Sequence, residues 1–222
     1  MKRMKFASFE FLTALMFLLI FSFFFAGISF AGGLRSYPCS TCTGGSGGVC
    51  PIGPPGASGG DLANSNALSV EQITCFLNSK GSPWADQAAD IKAAAVEFNV
   101  NPALILAITG QESTWGKSGP SSAPVYDNNP GDVSGGEGLV AHYQQHGLDA
   151  TGVDGGACDG SACVVIFATM KDGWRAMALN LRETYLDAGD TTIEQIARSY
   201  ATDPNWSKNL AGWMQEAASC NN

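Results

Sequence analysis

Pro102-Ala-Leu-Ile-Leu-Ala-Ile-Thr-Gly-Gln-Glu112 follows the cap residue Asn101 and stops at the polar break Ser113-Thr114-Trp115-Gly116. Asn at a helix N-cap and Pro at the first helical position both favour a helix start. The run Leu104 to Ile108 has no polar face, and a helix that is apolar on every side is buried on every side. The sequence therefore predicts a central helix wrapped by others, with one carboxyl, Glu112, at its end. An acid there faces the negative end of the helix dipole, so stability alone does not call for it. Desolvation disfavours the charged form, and Glu112 is expected to keep its proton near neutral pH and to be able to give it away.

Working outward, the neighbouring segments also carry helix signals. Ser69 with Gln72 forms a capping box that opens a helix running to about Asn78. Ser82-Pro83 repeats the cap-then-proline device ahead of Trp84, Ala88, Ile91, Ala95 and Phe98, which recur at helical spacing. Further along, Asp172 is expected to cap a helix carrying Trp174, Met177, Ala178 and Leu181, and Thr191 with Glu194 to form a second capping box. Asp203-Pro204 is expected to open a last helix with Trp206, Leu210, Trp213 and Ala217 on one face.

Between these helices, residues 116–160 are dense in Gly, Asn, Asp, Ser and Pro. The runs Leu139 to Tyr143 and Cys163 to Phe167 read as strands of a small hairpin. The fold class is accordingly mainly α (α+β), a helical lobe with a small irregular or β-hairpin lobe, and the two together make a cleft.

The chain ends bound the class of protein. Residues 1–31 have a basic start (Lys2, Arg3, Lys5), a long apolar run from Phe11 to Ile28 and a small-residue exit, which predicts a signal peptide or an uncleaved membrane anchor. Residues 32–61 are Gly, Ser, Pro and Cys with few apolar side chains and read as a linker; residues 62–222, about 160 in all, suffice for one domain with one core. Removing the first segment takes the formal charge from −8 to −10. So acidic a chain lacks the Lys and Arg that counterion release requires, which excludes nucleic acid as a partner. Seven cysteines in an exported chain predict disulfides with one thiol left over. Spacing does not determine connectivity; the pairing adopted joins Cys75 to Cys220, on the first and last predicted helices, and Cys158 to Cys163 across a short loop. Cys39, Cys42 and Cys50 lack the second half of a zinc site and are expected to form a tail disulfide.

Four blocks in order carry a family resemblance: Glu112-Ser-Thr-Trp-Gly-Lys-Ser118, Asn128-Asn-Pro-Gly131, Phe167 with Asp172-Gly-Trp-Arg-Ala176, and Tyr200-Ala-Thr-Asp-Pro-Asn205. Together they resemble the lysozyme-superfamily peptidoglycan hydrolases, above all the glucosaminidases of glycoside hydrolase family 73. The resemblance implies a lysozyme-like fold, peptidoglycan glycan strands as substrate, Glu112 as catalytic acid, Tyr200 facing it from the opposite wall, and Asn128 and Asn129 at the start of the second lobe. Ser113 is a candidate substrate contact or simply a helix terminator, and Asn128-Asn129-Pro130-Gly131 is equally a good turn sequence. Tyr143 and Trp115 are candidates for stacking on sugar rings, although aromatic side chains more often fill cores.

Family members are expected to use a second acid to activate water, and no block identifies it. Glu137 is the leading candidate, with Asp132, Asp149 and Asp154 behind it. Without such an acid the substrate's own N-acetyl group or its 6-hydroxyl would attack, the latter giving an anhydro product as lytic transglycosylases do. The competing functions are therefore a transglycosylase or muramidase of a secretion apparatus, and a non-catalytic wall-binding module. His142 and His146 are spaced for one helix face and could hold a metal, but no acidic or thiol partner is fixed near them in sequence, so neither metal nor cofactor is expected. The chain is expected to act as an exported, extracytoplasmic monomer, with membrane anchoring through its N-terminal segment as the alternative to release.

Overall fold

The computed structural model describes residues 60–118, 123–159, 162–201 and 203–221. The signal or anchor segment, the linker as far as residue 59, and the Cys39, Cys42 and Cys50 cluster lie outside the described residues. Among the described residues eight helices and three strands occur in chain order: α1 (Val70–Ser79), α2 (Ala88–Glu97), α3 (Pro102–Ser113), α4 (Ala123–Tyr126), β1 (Ser134–Gly135), α5 (Glu137–Gln145), β2 (Ala150–Asp159), β3 (Ala162–Phe167), α6 (Met170–Asn180), α7 (Ile193–Tyr200) and α8 (Trp206–Ala218). A 3₁₀ turn (Ala85–Gln87) leads into α2, and a π-helical segment (Leu181–Leu186) continues α6. The architecture is mainly helical with one small antiparallel sheet, as the sequence predicts.

The central helix forms where expected and for the expected reason. The Asn101 side chain accepts from Ala103 N, Pro102 occupies the first position, and every residue from Pro102 to Gly110 is buried. Helix α8 packs along α3 through Leu210, Met214 and Ala217, while α1 and α2 cover other faces. Among the described residues no single helix is long and apolar enough to cross a membrane. The apolar character of α3 is that of a core.

Several helix starts differ from expectation: in α6 and α7 a nearer side chain does the capping, while α2 and α8 begin without a side-chain cap. Ser82 Oγ accepts from Trp84 N and donates to the Trp115 carbonyl, so it closes a turn, and α2 begins only after the 3₁₀ turn. Thr169, not Asp172, caps α6; Asp172 sits in the first turn, where its carboxylate accepts from Thr169 Oγ1 at 2.6 Å. The second capping box is Thr192 with Gln195, one residue beyond Thr191 and Glu194. Asp203 accepts from Asn205 N, and α8 starts at Trp206.

The small lobe corrects the expected hairpin. Leu139 to Tyr143 is part of helix α5, because Leu139, Val140 and Tyr143 sit at i, i+1 and i+4 and Glu137 meets the positive end of the dipole. The partner of β3 is instead the Gly-rich β2, in sheet order β1-β3-β2, with Val153 opposite Val165 and Cys158 opposite Cys163. Gly152, Gly155 and Gly156 give β2 poor intrinsic strand propensity, and pairing with the Val/Ile-rich β3 overrides it.

Both adopted disulfides are present, Cys75–Cys220 between α1 and the end of α8 and Cys158–Cys163 across the hairpin. One glycine fixes how the lobes meet. A Cβ on Gly173 would lie 1.8 Å from the Asn128 carbonyl oxygen, so the first turn of α6 touches the Asn128 turn only if residue 173 has no side chain.

The Cys75–Cys220 bond closes a loop of 145 residues, so it restricts the unfolded chain strongly. Replacing both cysteines with Ser is expected to lower Tm by roughly 5–15 °C in calorimetry. An unchanged Tm would mean that the terminal helices hold together without it.

Candidate active site

The end of α3 is shaped by an unusual turn. Thr114, Trp115 and Gly116 all have positive φ, at 51°, 55° and 81°. The first two are strained for residues with a side chain, and the Trp115 ring holds them in place. Its Nε1–H donates to the Leu106 carbonyl at 3.0 Å, and its ring meets those of Phe76 and Trp213 edge-on at 5.8 and 5.0 Å. A Cβ on Gly110 would lie 2.5 Å from that ring, so glycine inside the helix is what admits it. Trp115 is thus a core residue, and its ring is not a sugar platform. The turn brings α3 to a sharp stop and leaves Glu112 half-buried at the surface of the cleft.

Three cavities, of about 360, 420 and 400 Å³, have Glu112 in their walls. The first runs under the hairpin past Asp132, Ser134 and Val164; the second passes Asp132, Asn180, Thr184, Tyr185 and Tyr200; the third passes Arg198, Tyr200, Asp203 and Trp206. The largest described cavity, about 540 Å³ between Asp61, Asn101 and Gln215, lies elsewhere and contains none of these acids. Size does not select the site; convergent carboxyls do.

Burial pushes the Glu112 carboxyl up from an ordinary 4.5 to about 7, and the neighbouring negative charge of Asp132 adds to the shift. The indole N–H of Trp206, which has no hydrogen bond of ordinary geometry, lies near enough to favour the carboxylate slightly. Asp132 stands at the cleft lip, open to water on one side, and the protein packed on its other side raises its carboxyl as well. Asp127 is fully buried with neither carboxyl oxygen hydrogen-bonded, and burial, then Asp154 and Asp132, push it up to about 6. Glu112 and Asp132 in the cleft wall, with Asp127 buried behind it, form a group of acids that cannot all ionise cheaply.

The predicted site residues divide sharply. Tyr200 lines two of the three cavities beside Glu112, and its hydroxyl donates to the Gly131 carbonyl at 3.0 Å, which ties α7 to the lobe junction. Ser113 is buried; its Oγ donates to Thr109 O and accepts from Gly116 N, so it terminates the helix. Asn129 is buried too, with its amide donating to Val133 O and Val165 O and its oxygen accepting from Val133 N. Asn128 donates to Phe167 O. Both asparagines are turn and strand ties, with no polar group of Asn129 left to offer a ligand. Tyr143 is buried against Phe167 and is absent from the cleft walls. Glu137, on the exposed first turn of α5, lines none of the three cavities, whereas Asp132 lines two of them with Glu112. Asp149 is exposed outside the cleft walls, and Asp154 faces Asp127.

The two histidines do have an acidic partner, contrary to expectation. Glu183, on the π-helical segment, accepts from His142 Nε2–H at 2.7 Å and lies 3.5 Å from His146 Nε2. It is 41 residues from His142 in sequence, so no local pattern announces it.

A helical lobe and a hairpin lobe with a half-buried acid between them make up a lysozyme-like fold with a cleft, and the family match makes the chain a glycoside hydrolase. Residues 88–219 match the family model described as mannosyl-glycoprotein endo-beta-N-acetylglucosaminidase, and the chain belongs to this glucosaminidase family. No curated protein matches the chain significantly. The matched stretch runs from the start of α2 to just beyond α8, and the Cys75–Cys220 bond joins residues on either side of it.

The raised Glu112 carboxyl makes stability depend on pH. The folded chain keeps a proton that the unfolded chain releases between about pH 4.5 and 7, so this group's contribution falls across that window, from no cost below it to about 3 kcal/mol above it. Glu112→Gln, which has no charge to bury, is expected to match wild-type Tm at pH 4 and to exceed it by roughly 10 °C at pH 8. Equal Tm values at pH 8 would mean that the carboxyl is ordinarily solvated.

Proposed function

We propose that this chain is an exported peptidoglycan hydrolase that cleaves the glycan backbone at N-acetylglucosaminyl bonds. The observation that carries the reading is Glu112, a carboxyl raised to about 7 in the shared wall of three cavities, in a member of the glucosaminidase family. In this role Glu112 is the general acid: it is protonated near neutrality and gives its proton to the leaving glycosidic oxygen. Asp132 is the group assigned to activate water, because it shares two cavities with Glu112 and is open to solvent. Its negative charge also helps to keep Glu112 protonated, so one carboxylate serves both the acid and the water. Tyr200 lends its ring to the opposite wall and, through Gly131, fixes the backbone that carries Asp132. The assignment of water to Asp132 favours hydrolysis over internal attack by the sugar's 6-hydroxyl.

Residues 1–31 fit delivery across a membrane, with or without continued anchoring, and an acidic monomer tethered near the wall avoids the long-range repulsion a free one would meet.

Digestion of purified peptidoglycan with mass spectrometry of the fragments tests the whole reading. Reducing N-acetylglucosamine ends are expected; anhydro-muramyl ends would make the protein a transglycosylase, and no release would contradict both. Glu112→Gln is expected to lose roughly 10²–10⁴-fold in rate, and Asp132→Asn to lose a comparable factor while the fold persists. Wild-type activity is expected to fall as pH rises through about 7, because the acid must hold its proton. An alkaline limb unrelated to that value would overturn the role of Glu112.

A further inference from the structure

We infer that His142, His146 and Glu183 form a binding site for a zinc-like divalent transition-metal ion, distinct from the cleft. The two histidines are four residues apart, on α5 and at its C-cap, so their rings lie side by side with centroids 4.7 Å apart. Glu183 meets both with different oxygens, Oε2 at 2.7 Å from His142 Nε2 and Oε1 at 3.5 Å from His146 Nε2. One donor atom from each of the three lies within 4.8 Å of the other two. Tetrahedral donors about 2.0–2.2 Å from one zinc ion stand roughly 3.5 Å apart, so closing these three on an ion takes side-chain shifts of about an ångström, which partly exposed side chains allow.

The donor chemistry selects the ion. Two imidazoles and one carboxylate suit zinc, and by the same ligand preference nickel or copper, whereas calcium and magnesium require oxygen ligands. Three protein ligands leave a fourth position for water, and the partial exposure of all three side chains gives an ion access from solvent. Without an ion the proton on His142 Nε2 makes the hydrogen bond to Glu183; with one, the imidazoles carry their proton on Nδ1 and present Nε2 to the metal.

The position of the site in the fold gives the ion a mechanical role. Helix α5 packs on β2 and belongs to the small lobe, while Glu183 belongs to the π-helical continuation of α6 in the large lobe. Thr184 and Tyr185, the next residues after Glu183, line the 420 Å³ cavity with Glu112. A bound ion therefore ties the hairpin lobe to the segment that forms the cleft floor. π-Helical turns occur frequently at functional sites, and here the turn carries the acid that meets both histidines.

Zinc titration of the full chain by calorimetry, with parallel thermal melts, tests the site. Wild type is expected to bind Zn²⁺ and to gain roughly 5 °C or more in Tm at a hundredfold excess over Kd, with the gain reversed by EDTA. His142→Gln and His146→Gln alter exposed side chains and should keep the metal-free Tm, yet each is expected to weaken binding by roughly tenfold or more and to lose the zinc-induced shift. Co²⁺ bound at this site should show visible absorption without a thiolate charge-transfer band, which separates it from ions held by Cys39, Cys42 or Cys50. No zinc-induced shift in wild type, or a shift that survives in both histidine variants, would overturn the assignment.

Discussion

The structure depends on the burial of a helix that has no polar face. Because α3 is covered on all sides, with α1, α2 and α8 packed against it, the chain must leave the core abruptly where α3 stops. That exit is the left-handed turn at Thr114 and Trp115, held by an indole that donates back to Leu106 and packs over the gap left by Gly110. The consequence is a carboxyl that cannot retreat fully into water. Glu112 is where the demands of the core and of the cleft meet, and its raised proton affinity is a property of that position.

The small lobe adds what the helix alone lacks. The turn from Asn128 to Val133 is locked by Asn129, whose side chain satisfies the backbone of both Val133 and Val165, and by Gly173, which lets α6 approach the Asn128 carbonyl. This rigidity fixes Asp132, a residue with φ of 50°, at the rim of the same cavities that Glu112 lines. Burial first and then the charge of Asp132 raise the proton affinity of Glu112, while burial raises that of Asp132 as well.

Much of this was legible in the sequence, because it is written in local signals. The Asn101-Pro102 cap, the unbroken apolar run and the Ser69 capping box each act within a few residues, and α1 and α3 follow from them. The disulfides were reachable by supposing that first and last helices meet. What was not legible depends on contacts far apart in the chain. The strand β2 exists despite its glycines because β3 pairs with it, and Leu139 to Tyr143 became a helix because an apolar stripe at three- to four-residue spacing outweighs its β-branched content. Glu137 looked like the second acid by its place in a polar loop, whereas Asp132 reaches the cleft through a left-handed turn that no single residue type marks. For Ser113, Asn129 and Tyr143 the sequence leaves a ligand contact and a role in the fold both open, and the structure gives each the role in the fold. Glu183 could not be joined to His142 and His146 without knowing that α5 lies against the π-helical end of α6.

The central claim is that burial holds the proton of Glu112 near neutral pH. A carbon-13 NMR titration of the Glu112 side-chain carboxyl, assigned by its loss in Glu112→Gln, measures this directly. The account predicts a midpoint near 7 that moves down when Asp132 is replaced by Asn. A midpoint in the ordinary glutamate range near 4.3, unmoved by that replacement, would contradict it.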